Sequence, residues 1–202
     1  MAITFEKQSV QGGFPEIWRG ECKMLPGGFK PKQDIPVGTV VRRATPVFVN
    51  FDDMTAAICK TATVLDGGTT KLVRVAKGHY FAKGDKVFKH GAASPALVEI
   101  ASIDTSNAAY DVLNLATAIT GLAKDDVIVE GVSSGDNVTV EVAYAPNMVV
   151  GADKHFDGKG LPTLDAAYEA VVLKPSLVCP LLPEWLQGVA LKNNANIIFI
   201  KQ

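Results

Sequence analysis

The chain has 202 residues, of which 48% are hydrophobic and 20% charged, and its formal net charge is −1. That length accommodates one substantial core or one barrel-like domain with extensions, and that composition excludes wholesale disorder. The 20 Lys and Arg residues are scattered among 21 Asp and Glu, without the basic stripe that phosphate binding requires, so no nucleic-acid partner is expected.

The N-terminus, Met1-Ala2-Ile3-Thr4-Phe5-Glu6-Lys7, lacks the basic lead and apolar stretch of a signal peptide. Synthesis and folding in the cytoplasm are the expectation. Residues 1–35 read as an extended arm, because Gly12-Gly13, Pro15, Pro26-Gly27-Gly28, Pro31 and Pro36 interrupt any regular element. The arm nevertheless carries Phe5, Phe14, Ile17, Trp18, Met24, Leu25 and Phe29. A segment this aromatic packs on its own body or on a neighbouring subunit, since burying each large side chain is worth about 1.5–3 kcal/mol.

From Val37 the signal is β. Segments 37–44 and 47–51 flank Thr45-Pro46, and 58–65 leads into Asp66-Gly67-Gly68-Thr69, a hairpin signal before the alternating Leu72-Val73-Arg74-Val75. Further strands are expected over 86–88, 97–103, 109–115, 127–132 and 137–144, with a turn at Ser133-Ser134-Gly135-Asp136-Asn137. One pattern recurs three times: an apolar lead-in, a tight turn at Gly or Asp, then a β-rich run. Its copies are Pro36–Val41, Ala82–Phe88 and Ala123–Val129. Short strands at this spacing predict an antiparallel barrel or sandwich body over residues 36–146.

Residues 147–202 form a mixed α/β segment packing on that body. Leu164–Leu173 reads as a helix capped by Thr163 and stopped before Pro175, although its apolar second half equally suits a strand. Leu181–Trp185 suggests one helical turn, and Asn196–Lys201 a buried strand. No apolar run approaches the about 18 residues that span a bilayer, so no membrane is implied.

The chemistry-bearing residues form no recognisable catalytic motif. Cys22, Cys59 and Cys179 are odd in number and widely spaced, which reads as reduced, mostly buried thiols. His79, His90 and His155 lack paired ligand spacing, so no metal is expected, and the Asp153–Gly158 loop lacks the regular acidic spacing of a calcium site. Asp52-Asp53 and Asp125-Asp126 read as turn residues, since strand neighbours face opposite ways. The Gly67-Gly68 loop lacks a P-loop's spacing and following helix. No cofactor is expected. A small β-barrel enzyme would need a cluster from distant strands, for instance His79, Asp85 and Cys59. A carbohydrate- or surface-binding β-module would need an exposed aromatic row, and 7% aromatic content supplies none within the expected strands. The candidate interface residues are Phe14, Trp18, Arg19, Leu25, Phe29 and Trp185. The two tryptophans serve either as interface anchors or as lids over the barrel ends.

Three stretches carry a resemblance: Ile17-Trp18-Arg19-Gly20 with Leu25-Pro26-Gly27-Gly28-Phe29; Ile35-Pro36-Val37-Gly38-Thr39-Val40-Val41; and Leu191–Ile200. Together they resemble head fibre and head decoration proteins of tailed bacteriophages, including prophages. The turn-strand units at Lys83-Gly84-Asp85 and Lys124-Asp125-Asp126 are similar to the small β-rich domain such proteins place on capsids. The resemblance implies a non-enzymatic virion protein, bound outside the head to the major capsid protein and often a homotrimer. It also implies a compact knob or fibre base, because no heptad or repetitive shaft is present.

Overall fold

The computed structural model describes residues 17–25, 28–134, 139–159 and 163–201. Strands make up 45% and helical turns 3%, which makes the protein mostly β, built from curled sheets and a half-barrel. In chain order the first strands are β1 (Lys23–Met24), β2 (Lys30–Pro31), β3 (Val40–Val41), β4 (Pro46–Asn50), β5 (Thr55–Ile58) and β6 (Thr61–Thr63). Next come β7 (Leu72–Ala76), β8 (Lys86–Lys89), β9 (Val98–Asp104), β10 (Tyr110–Leu115), β11 (Val127–Ser134) and β12 (Thr139–Val142). The last are β13 (Met148–Val150), β14 (Lys154–His155), β15 (Ala166–Leu173), β16 (Leu186–Gln187), β17 (Ala190–Leu191) and β18 (Asn194–Ile200).

Two large sheets hold all the strands except β3 and β14, which pair with each other. The first runs β16–β17–β18–β15–β13–β4–β5–β2, with β1 also on β15, and so draws on both chain ends. The second runs β12–β11–β8–β9–β10–β7, with β6 also on β11, and lies wholly within residues 61–142. It curls on itself: Val64, one residue past β6, bridges Val75 of β7, and Leu65 N–H donates to the Arg74 carbonyl at 2.8 Å. The pairing is antiparallel apart from β15–β18 and β2–β5.

Period-two patterning decides which residues fill the curl. Val73 and Val75 of β7, Ile100 of β9, and Leu113 and Leu115 of β10 are fully buried inside it, while their neighbours face outward. Strands β8 and β11 break the alternation because both of their faces are covered. Val87 and Ile128 point into the curl, whereas Phe88 and Val129 belong to the core of the first sheet. These two strands are therefore a wall shared by two cores.

The recurrent turn pattern is a real structural unit. In each copy the backbone N–H of the fourth residue donates to the carbonyl of the first: Thr39 to Pro36, Asp85 to Ala82, and Asp126 to Ala123. The third residue has positive φ in every case, Gly38 at 91°, Gly84 at 90° and Asp125 at 68°. That geometry defines a type II turn, in which glycine avoids the Cβ clash and aspartate tolerates it. In the second and third copies the aspartate also accepts from the first residue's N–H, at 2.7 Å in both.

Two expectations are corrected. The expected α/β character of the C-terminal segment is absent: Leu164–Leu173 contains the strand β15, and the helical elements there are single 3-10 turns at Lys174–Ser176 and Pro183–Trp185. Strand β15 has neighbours on both edges and no fully exposed residue, so its apolar run mimics a buried helix. The described part of the N-terminal stretch is likewise not an extended arm. Ala167 pairs with both Met24 and Val149, and Val172 with both Trp18 and Phe199. Residues 17–25 thus run along one edge of β15, while β13 and β18 share the other. A ladder ties this stretch to β15 and its approach: Arg19 N–H donates to the Val171 carbonyl, Leu25 N–H to Ala166, and Phe29 N–H to Leu164.

Candidate functional site

The expected interface residues divide by burial. Phe29 (1% exposed) and Trp185 (3%) lie within the first core of their own chain, and Trp18 and Leu25 pack against that core half-buried. Arg19 is exposed, with its backbone tied to β15. Phe14 lies outside the described residues. Trp18, Arg19 and Leu25 therefore share the segment along the β15 edge. Phe51 (53% exposed) meets the buried Phe29 edge-on at 5.9 Å between ring centroids.

A polar constellation that spacing does not reveal lies where the two sheets meet. Between β5 and β6 the chain crosses from the first sheet to the second, and Lys60 sits at the crossing, nearly fully buried. Its Nζ is 2.6 Å from Asp85 Oδ2 and 3.5 Å from Glu130 Oε1. Gln33 Nε2 donates to Glu130 Oε2 at 2.8 Å and to the Ile58 carbonyl at 2.9 Å, while Gln33 Oε1 accepts from Ile58 N–H at 2.7 Å. Burial pushes the Glu130 carboxyl above the usual glutamate range, a shift that Lys60 opposes. One cation faces two carboxylates here, and the second carboxylate is the member burial biases toward its neutral form.

A second polar group, on the half-barrel, joins His79, Asp111 and Lys77. Lys77 Nζ bonds Asp111 Oδ1 and donates to the Thr105 carbonyl at 2.9 Å. His79 Nε2 lies 3.3 Å from Asp111 Oδ2 but outside hydrogen-bonding alignment, so this buried nitrogen has no hydrogen-bond partner among the described residues. His79 Nδ1 accepts from Phe81 N–H at 3.2 Å. Burial lowers the imidazole's pKa, against the pull of Asp111. The neutral ring thus carries its proton on Nε2, and with Nδ1 occupied neither nitrogen is placed to take a proton from a substrate.

The hypothetical trio of His79, Asp85 and Cys59 does not assemble as a reactive group. Asp85 Oδ2 is committed to Lys60 and to Ala82 N–H, while Cys59 is enclosed in the first core with its thiol pushed well up by burial. Burial likewise pushes the Cys179 thiol up to about 12, leaving it protonated and unreactive. The loop carboxylates near His155 cap backbone: Asp153 Oδ1 accepts from Arg43 N–H and Asp157 Oδ1 from Lys159 N–H. Among the described residues no three His, Cys, Asp or Glu side chains are grouped to hold a metal ion, and no helix is long and apolar enough to cross a membrane. At Gly68 a Cβ would stand 2.7 Å from the Leu72 carbonyl oxygen, so the Gly67-Gly68 loop owes its glycines to the chain's own close return.

No family model, no curated protein and no solved structure matches this chain.

Proposed function

We propose that the protein is a phage virion component that binds the capsid exterior through the major capsid protein, as a head fibre base or a decoration protein, and self-associates as a homotrimer. The observation that carries this reading is the position of the stretch bearing the resemblance. Residues 17–25 are the outermost segment on one edge of β15 among the described residues, and Trp18, Arg19 and Leu25 line it. A sheet edge is a template for pairing with another chain, by backbone hydrogen bonds with side chains setting specificity. The Leu191–Ile200 stretch lies across β15 from it, so two of the three resembling segments belong to one sheet. The half-barrel is then the part left to project from the shell.

Light scattering over a dilution series, combined with co-sedimentation on purified heads, tests the proposal. The expected mass is three times 21.4 kDa, with saturable binding to heads. A stable contact requires about 800 Å² per partner, so Arg19→Glu at the edge should abolish the trimer and leave a folded monomer. A wild-type protein that fails to bind heads would overturn the capsid reading. An Arg19→Glu variant that remains trimeric would move the self-interface away from this edge.

A further inference from the structure

The turn between β4 and β5 presents two large apolar side chains to solvent, Phe51 and Met54, the latter 48% exposed. Every other aromatic side chain among the described residues is buried or half-buried. The tip is fixed by its own side chains. Asn50 Oδ1 accepts from Asp52 N–H at 2.9 Å, and Asp53 Oδ1 accepts from Thr55 N–H at 3.2 Å and from the Thr55 hydroxyl at 2.6 Å. Met54 holds a φ of 53°, a left-handed conformation uncommon for a residue other than glycine. Beside the opposite end of the same sheet, at Leu186 of β16, lies a cleft of about 420 Å³. Leu177, Val178, Leu181 and Leu186 supply its apolar wall, Thr63 a hydroxyl, and Lys174 its one charge. Given the proposed homotrimer, on which this rests, we infer that the Phe51–Met54 tip of each copy inserts into this cleft of the next.

Symmetry, charge and position select that occupant. A ring of three is generated by rotation, so each contact joins two different surfaces of the chain, one projecting and one receiving. Neither the Asp52 carboxylate nor the Lys174 ammonium has an ion pair among the described residues, and docking sets these opposite charges together at the rim of the cleft. The tip does not line the cleft of its own chain. Strands β17, β18, β15 and β13 separate β16 from β4, about 24 Å along the sheet at ordinary strand spacing, so the receiving cleft is another copy's. That cleft also adjoins the edge assigned to self-association, because Lys174 follows Leu173, whose N–H donates to the Ile17 carbonyl. An aromatic anchor entering an apolar pocket is the form that interface hot spots take, and a tip already ordered loses little freedom on docking.

The test is light scattering of the intact protein and its variants over a dilution series. Met54→Asn removes one apolar anchor, and asparagine accepts the left-handed backbone there, so the fold is retained. Phe51→Ser removes the other. Each substitution should raise the concentration at which the trimer dissociates by at least about thirtyfold. Lys174→Glu, which sets like charges at the rim, should weaken the trimer in the same sense. Adding Asp52→Lys to it should restore association to within about threefold of the native protein. A trimer that persists unchanged in both tip variants overturns the inference and leaves the homotrimer standing. So does a double variant that associates no more tightly than Lys174→Glu alone. A native protein that is monomeric at every concentration overturns the inference and the homotrimer together, while the capsid reading is judged separately by head binding.

Discussion

At the residue scale, the buried polar groups are the informative ones. Lys60 is 3% exposed, a position that an unpaired ammonium does not occupy, and it is held by Asp85 and Glu130. The sign of Glu130's contribution follows from its raised pKa. The folded chain keeps that proton to higher pH than the unfolded chain does. The resulting stability is full below the ordinary glutamate pKa and is lost as pH rises through the raised value. Glu130→Gln keeps an acceptor for Gln33 and cannot titrate. Urea midpoints over a pH series should therefore show the native protein losing stability relative to the variant in the window just above the ordinary glutamate range. A difference that stays constant across that window would mean that Glu130 titrates as it does when unfolded.

Strand-level packing explains a glycine that sequence patterning leaves unaccounted for. Gly131 lies in β11, and a Cβ there would stand 2.6 Å from the Phe88 ring and 2.9 Å from Leu97. Phe88 belongs to the shared wall, 6% exposed, and has little room to withdraw. Gly131→Val is expected to destabilise the protein by about 1–3 kcal/mol, through displacement of that ring despite valine's preference for strands. Chemical denaturation checks it, and a stability equal to or above that of the native protein would show that the ring can move freely. The same scale accounts for the repeated turn, whose Asp85 and Asp126 each cap an alanine N–H and also pair with a lysine, Lys60 and Lys89. The local cap is visible in the repeat, while the lysine partners come from elsewhere in the chain.

For the whole molecule, the consequence of β8 and β11 serving two cores is cooperativity. Phe88 and Val129 face one core, Val87 and Ile128 the other, so neither core can lose this wall alone. Hydrogen exchange should show β9–β10 peptides and β15–β18 peptides opening with the same free energy. A half-barrel that opens well before the nine-stranded sheet would instead define two separable units. The polar network at the Lys60 crossing reinforces the coupling, because Gln33 brings the N-terminal stretch to Glu130 of β11.

The sequence alone determined the β character, most strand positions from β4 to β12, the inward-facing valines and leucines of the curl, and the three turns. These depend on side-chain alternation and on local backbone chemistry, which short windows contain. The tertiary structure decided the rest. Leu164–Leu173 resolves to a strand because it has strand neighbours on both edges, and residues 17–25 join a sheet because β15, far along the chain, offers them an edge. The segment expected over 58–65 is divided between two sheets at Lys60. His79 and Asp111 become a pair only when the half-barrel curls and brings β10 alongside β7. Hydrogen-bond partners and salt bridges between residues tens of positions apart leave no periodic trace, and the fold alone brings them together.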